Sequence, residues 1–130
     1  MKLLLILGNQ LFPLNNVEKF KKDHVVFMSE DYELCSYEKH HKLKILLFLS
    51  SMRSYAENLK KNNFKIIYTR IDSTDFRKNY IEKLKRVITS KNIKEVTSFE
   101  IEDKFFENKI KKFLNKSKIK LNYIKSPMFL

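Results

Sequence analysis

The chain has 130 residues, 43% of them apolar, which suits one domain with a single hydrophobic core. Its formal net charge of +12 permits contact with nucleic acid, but nearly all of it comes from Lys, a bias that an AT-rich coding sequence also produces. No apolar run approaches the length of a membrane span. The single cysteine, Cys35, excludes an intrachain disulfide and an iron–sulfur cluster built from this chain alone. We therefore expect a cytoplasmic protein without a membrane segment.

Five short segments are predicted to be β-strands. The first is a continuous apolar run that ends at Gly8, as expected for a strand that is covered on both faces. The last alternates apolar and polar residues, which indicates an edge strand with one solvent-facing side. In chain order the predicted strands are 3–7, 24–28, 64–68, 95–99 and 119–124.

Three segments between these strands carry apolar residues at the spacing of amphipathic helices: 41–61, 74–90 and 103–115. In the first of them, Leu46 and Leu47 widen the apolar stripe, so we expect its first turns to be buried on more than one side. The alternation of strand and helix predicts one α/β domain with a parallel sheet over residues 1–130.

Two irregular stretches, 8–23 and 30–40, follow strands and should open on the carboxyl edge of the sheet. Ligands of open α/β sheets bind at that edge, where the strand order reverses. In the order 3-2-1-4-5 the reversal lies beside the first strand. The candidate ligand edge then consists of residues 8–11, 30–41 and 100–104.

Several kinds of chemistry are not expected here. Gly8 is the only glycine, whereas a dinucleotide-binding or P-loop phosphate cradle needs several. Asn9 and Gln10 stand where a response-regulator receiver would need an acidic pair. Adjacent histidines at a helix start point in different directions, so His40 and His41 make a poor metal site.

The cationic helix faces raise the question of nucleic-acid binding. Arg53, Lys60 and Lys61 lie on or near the polar side of the long helix, and such residues are most often simply solvated. A nucleic-acid footprint stays open as the alternative, but the phenylalanines sit at core spacing and supply no stacking platform.

The residues at the candidate edge resemble a known family. Residues 8–13, Gly-Asn-Gln-Leu-Phe-Pro, resemble the G-[DN]-Q-L opening of photolyase-related proteins, the prokaryotic branch of the photolyase–cryptochrome family that carries an iron–sulfur cluster. Further blocks resemble that branch in the same order along the whole chain: 27–31, 34–37, 40–44, 48–53 and 126–130.

This resemblance implies a light-dependent DNA repair flavoprotein or a related photoreceptor. The implied N-terminal domain is a three-layer, Rossmann-like fold with a five-stranded parallel sheet in the order 3-2-1-4-5, and it can hold a ribityl-lumazine-type antenna chromophore. FAD, the 4Fe-4S cluster and most of the DNA surface belong to a helical C-terminal domain that nothing in this chain resembles. The chain is thus not expected to be catalytic by itself, with that domain as its partner in cis or as a separate chain, and with DNA contacted indirectly.

The resemblance also assigns antenna-binding residues. On the loop and helix sides of the edge they are Gly8, Asn9, Gln10, Glu30, Tyr37, His41, Lys44 and Phe48. Phe48 is bulky where relatives have a smaller aliphatic residue, and residues 100–104 lack the Glu-Pro and the arginine that relatives tend to show. Two alternatives stay open: a free-standing nucleotide- or nucleic-acid-binding module of the same fold, and an inactive remnant.

Overall fold

The computed structural model describes residues 2–7, 11–30, 42–70, 80–101 and 104–125; the side chains of residues 42–46 and 48 lie outside the description. The strands are β1 (Lys2–Leu5), β2 (His24–Ser29), β3 (Lys65–Thr69), β4 (Glu95–Phe99) and β5 (Lys120–Ile124). The helices are α1 (Lys42–Lys61), α2 (Tyr80–Lys91) and α3 (Lys104–Lys116). Within these described ranges, no helix is both long and apolar enough to cross a bilayer.

The five strands form one parallel sheet in the order β3-β2-β1-β4-β5, which confirms the predicted fold class. β1 lies in the centre, with Leu4 opposite Val26 of β2 and Thr97 of β4. The apolar run predicted the position of β1, but regular pairing ends at Leu5, after which the Ile6 N–H donates to the carbonyl of Phe27.

Alternate residues of β1 pack into two separate core layers. Leu3 and Leu5 face the side that α2 and α3 cover, where the ring of Tyr80 makes edge-to-face contacts with both Phe27 and Phe106. Leu4 and Ile6 face the other side. A strand with both faces buried needs apolar residues at consecutive positions, which is why β1 reads as an unbroken run.

The connection from β1 to β2 is more ordered than its sequence indicates. Its described part contains two single-turn 3₁₀-helices, Leu14–Asn16 and Glu18–Phe20. Phe12, Val17 and Phe20 are buried beside α1, so this segment covers the sheet where other crossovers use an α-helix. The Tyr55 hydroxyl of α1 donates to the carbonyl of Phe12 at 2.7 Å, and burial raises the pKa of Tyr55 to about 12.

The expectation that α1 is buried on more than one side in its first turns is wrong for Leu47. Its side chain is 61% exposed, whereas Leu49, Met52 and Leu59 are buried against the sheet. At 100° per residue, Leu47 lies about 200° around the helix from Leu49 and so points away from the buried face.

All three helices end in the same kind of turn. Asn63, Asn92 and Lys118 adopt left-handed conformations, with φ of 66°, 53° and 57°. In each case the residue that follows donates its N–H to the carbonyl five positions earlier, from Phe64 to Leu59, from Ile93 to Ile88 and from Ile119 to Leu114. This is the Schellman motif, in which an apolar pair seals the end of the helix and directs the chain into the next strand.

Lys118 has the most strained backbone of the three left-handed residues. A residue with a Cβ is strained in the left-handed region, and Lys tolerates that conformation less well than Asn. We expect Lys118→Gly to raise the free energy of unfolding by about 0.5–1 kcal/mol. Lys112→Gly removes the same charge in the interior of α3 and should lower the free energy of unfolding by about 1 kcal/mol. Urea unfolding of the two variants measures both values, and a loss of stability in Lys118→Gly would contradict the argument.

Candidate functional site

The candidate site lies at the carboxyl edge of the sheet, where α1 begins beside the end of β2. α1 joins two parallel neighbouring strands, so it runs antiparallel to them and starts at that edge. It has 20 residues, about 30 Å of helix, whereas β2 has six and β3 has five. Its first turns therefore extend beyond the ends of the strands.

Glu30 directly follows β2 and is completely buried. Its carboxylate is held from two elements: the Nε and Nη2 of Arg53 donate to Oε2 and Oε1 at 2.6 and 2.9 Å, and the Tyr68 hydroxyl donates to Oε2 at 2.5 Å. Its backbone N–H donates to the carbonyl of Thr69 at 2.8 Å, which continues the pairing of β2 with β3. Glu30 thus joins β2, α1 and β3 at one point.

This arrangement accounts for a carboxylate in the interior. A buried charge is tolerated when it is paired and hydrogen-bonded, and a two-pronged guanidinium–carboxylate contact is the strongest common form. Burial and the hydrogen bond to Glu30 raise the pKa of Tyr68 far above its usual value. Tyr68 therefore stays protonated and remains a donor across the working pH range.

The third part of the candidate edge is tied down by Tyr123 of β5. Its hydroxyl accepts from the N–H of Ile101 at 2.6 Å and donates to Oε2 of Glu107 at 2.7 Å. Lys111 also donates to Glu107, at 3.1 Å. The Tyr123 hydrogen bond, followed by the nearby lysines, holds the pKa of Glu107 below its usual range. The chain after β4 is thus fastened to both β5 and α3.

Comparison with known proteins agrees with this architecture. The family model described as "Deoxyribodipyrimidine photo-lyase-related protein" matches residues 4–130. The chain belongs to this family. A (6-4) photolyase of Agrobacterium fabrum (strain C58 / ATCC 33970) is 41% identical over 91 residues, which are 67% of this chain and 18% of that protein. The match thus covers less than a fifth of the curated relative's length, and it confirms the family inferred from the sequence motifs.

Most antenna residues assigned by resemblance fall outside the described part of this photolyase-related chain. Gly8, Asn9, Gln10, Tyr37 and His41 lie in its gaps. Their roles stay predictions.

The other assigned residues lie directly after β2 and on α1. Lys44 and Phe48 occupy the first two turns of α1, and only the backbone of these two residues is described. Glu30 is the one whose side chain is described, and it lies at the predicted edge. Within the described ranges, no three His, Cys, Asp or Glu side chains gather into a group that could hold a metal ion.

Two residues of this site were missed by sequence reasoning. Arg53 was expected on a solvated helix face, yet it binds the buried Glu30 while 39% of its side chain stays exposed. Tyr68 was expected only as part of a strand. A signal for Arg53 was present: a carboxylate at the end of an apolar strand needs a cation, and α1 carries a single arginine.

The Glu30–Arg53 pair should show strong coupling. We expect Arg53→Met to lower the free energy of unfolding by about 2–4 kcal/mol, because it leaves a buried carboxylate without its cation. Adding Glu30→Gln should restore at least about 1 kcal/mol, since the neutral amide still accepts from Tyr68. A double variant whose loss equals the sum of the two single losses in urea unfolding would refute this coupling.

The Glu107 contact should make the free energy of unfolding depend on pH in the acid range. A carboxyl whose pKa is lowered by folding stabilises the protein above its unfolded pKa, about 4.3, and loses that contribution as the pH falls through the folded pKa. Glu107→Gln should therefore cost about 1 kcal/mol at pH 7, and the difference from the parent should shrink below about pH 4.

Tyr123→Phe removes the largest cause of this pKa shift and serves as the matched variant. It should reduce the pH dependence of the free energy of unfolding when unfolding is followed between pH 7 and pH 2.5. Parallel pH profiles for the parent and both variants would contradict the assignment.

Proposed function

We propose that this chain is the N-terminal antenna and scaffold domain of a photolyase-related, light-dependent DNA repair flavoprotein or photoreceptor, and that it is not catalytic by itself. The observation that carries the proposal is the extent of the match. The family model covers residues 4–130 of this chain, whereas the photolyase relative is matched over only 18% of its length. This difference in extent supports the proposal that the chain corresponds to one α/β domain of a larger architecture.

The partner in this proposal is a helical domain that holds FAD and a 4Fe-4S cluster, supplied in cis or as a separate chain. A four-thiolate cluster needs four cysteines, and this sequence has one. Its single glycine also leaves no glycine-rich cradle for a dinucleotide pyrophosphate. Contact with damaged DNA is then made mainly through the partner domain, and the cytoplasm is the compartment that fits this role.

The antenna site in this proposal is the carboxyl edge beside α1. The first turns of α1 extend beyond the strands and provide a wall, and Glu30 lies at the base of that wall. The further proposed contacts are Gly8, Asn9, Gln10, Tyr37, His41, Lys44 and Phe48.

A ribityl-lumazine fits the chemistry of these residues, because its flat ring suits an aromatic wall and its polyol suits the side-chain amides of Asn9 and Gln10. When bound, such a chromophore absorbs light and passes the excitation to the flavin. The residues of this chain position it and exclude water from it. They form and break no bonds, so loss of the antenna would lower light-harvesting efficiency and leave the repair chemistry intact.

Fluorescence titration of the purified chain tests this function. We expect ribityl-lumazine emission to shift and to be quenched on binding, and FAD emission to stay unchanged. Lys44→Gln should weaken lumazine binding about threefold or more. Lys61→Gln makes the same change at the far end of α1 and should have no effect.

The outcomes separate the parts of the proposal. Unchanged lumazine emission, from a chain that still unfolds cooperatively, would contradict the antenna role and leave only a scaffold. Tight binding of FAD would contradict the division of cofactors between the two domains.

A further inference from the structure

A groove runs along the outer edge of the sheet, between α1 and β3. Its volume is about 260 Å³. β3 is an edge strand, so among the described residues no further strand covers this side. The groove is lined by Arg53, Ala56, Glu57, Lys60, Ile66, Tyr68 and Arg70.

The lining follows from the periods of the two elements. Positions 53, 56, 57 and 60 form one face of α1. Positions 66 and 68 of β3 and position 70, directly after it, are alternate residues that share one side of the chain. Because α1 and β3 run in opposite directions, Arg53 and Arg70 lie toward the carboxyl edge and Lys60 toward the amino edge. Apolar surface from Ala56 and Ile66 lies between these cationic ends.

Arg53 is held in place before any ligand arrives. Two of its nitrogens donate to the completely buried Glu30, which itself accepts from Tyr68, and 39% of the Arg53 side chain remains exposed. A guanidinium fixed in this way loses little side-chain entropy when it binds an anion. Glu30 is thus a positioning residue, and Arg53 is the group that the groove presents.

We propose that this groove binds the phosphate of a small phosphorylated ligand, a phosphate ester about the size of a mononucleotide. Arginines suit phosphate through their planar fork, and Lys60 adds a point charge. Glu57 is the one carboxylate in the lining, and it supplies an acceptor for sugar hydroxyls. The groove volume lies just below the range of 300–1,000 Å³ that holds whole drug-sized ligands, which suits a ligand of mononucleotide size.

This site is distinct from the antenna cleft. It uses the α1-facing side of β3 and the middle of α1, and none of its lining residues is among the proposed antenna contacts. Phosphate binding in the groove therefore does not require that the chain bind a chromophore. It would give this domain a second, charge-dependent ligand site of its own.

Titration of the isotopically labelled chain with 5′-AMP and with adenosine, followed by amide NMR, tests the proposal. We expect 5′-AMP to shift the amide signals of Ile66, Tyr68 and Arg70. Adenosine lacks only the phosphate and should bind at least about tenfold more weakly. Equal affinities, or shifts that map away from β3 and α1, would overturn the proposal.

Matched variants separate a built site from diffuse attraction. Lys60→Gln removes a charge from the groove and should weaken 5′-AMP binding about threefold, whereas its neighbour Lys61→Gln lies outside the lining and should leave it unchanged. Equal losses in the two variants would show that net positive charge alone attracts the nucleotide. The lumazine titration is an independent readout, so either proposal can fail without the other.

The phosphate could belong to a nucleic-acid strand or to a free phosphate monoester. Competition with a thymidine tetranucleotide that lacks a terminal phosphate distinguishes these two kinds of ligand. Displacement of 5′-AMP by the tetranucleotide would identify the ligand as a phosphodiester strand. Displacement by inorganic phosphate, but not by the tetranucleotide, would identify a free phosphate monoester. Failure of both competitors to displace 5′-AMP would overturn the assignment of the phosphate to the groove.

Discussion

The burial of β1 on both faces is the constraint to which the other elements conform. Leu3 and Leu5 form the floor of the layer beneath α2 and α3, and Leu4 and Ile6 form the floor of the layer beneath α1 and the 3₁₀ segment. A central strand of this kind needs helices or ordered loops on both sides, because its residues are apolar at every position. The connection from β1 to β2 therefore buries Phe12, Val17 and Phe20 although it contains no α-helix.

The Glu30–Arg53–Tyr68 cluster connects this fold to a site. It is the one place described where a completely buried carboxylate joins β2, α1 and β3. A buried ion pair contributes little net stability compared with apolar packing, but removing one partner strongly destabilises the fold. The main effect of such a pair is therefore to fix the relative positions of the elements that it joins. In this domain it fixes the middle of α1 against the edge strand and sets the direction of the Arg53 guanidinium.

The two proposed ligand sites are compatible on one small domain because they use separate surfaces of the sheet. The carboxyl edge, with the extended start of α1, is the place proposed here for an antenna chromophore. The α1-facing side of β3 has a different character, with cations at both ends of a partly apolar groove. Arg53 and Tyr68, which hold the buried Glu30, line this groove.

The sequence by itself determined the strands, the helices and the family. Short apolar runs, one alternating segment and 3.6-residue periods located the five strands and three helices to within a few residues where they are described, because such patterns reflect local geometry and burial. The motif blocks at positions 8–13 and 48–53 pointed to photolyase-related proteins, which also implied the strand order.

Only the tertiary structure decided which polar groups meet. Glu30 and Arg53 are 23 residues apart and Glu30 and Tyr68 are 38 apart, so their contacts depend on how α1 and β3 pack rather than on any local pattern. The same holds for the exposure of Leu47, an apolar residue that the helical register turns toward solvent. Local periodicity specifies which face of an element is apolar, but the partner of each polar side chain is set by packing between elements distant in sequence.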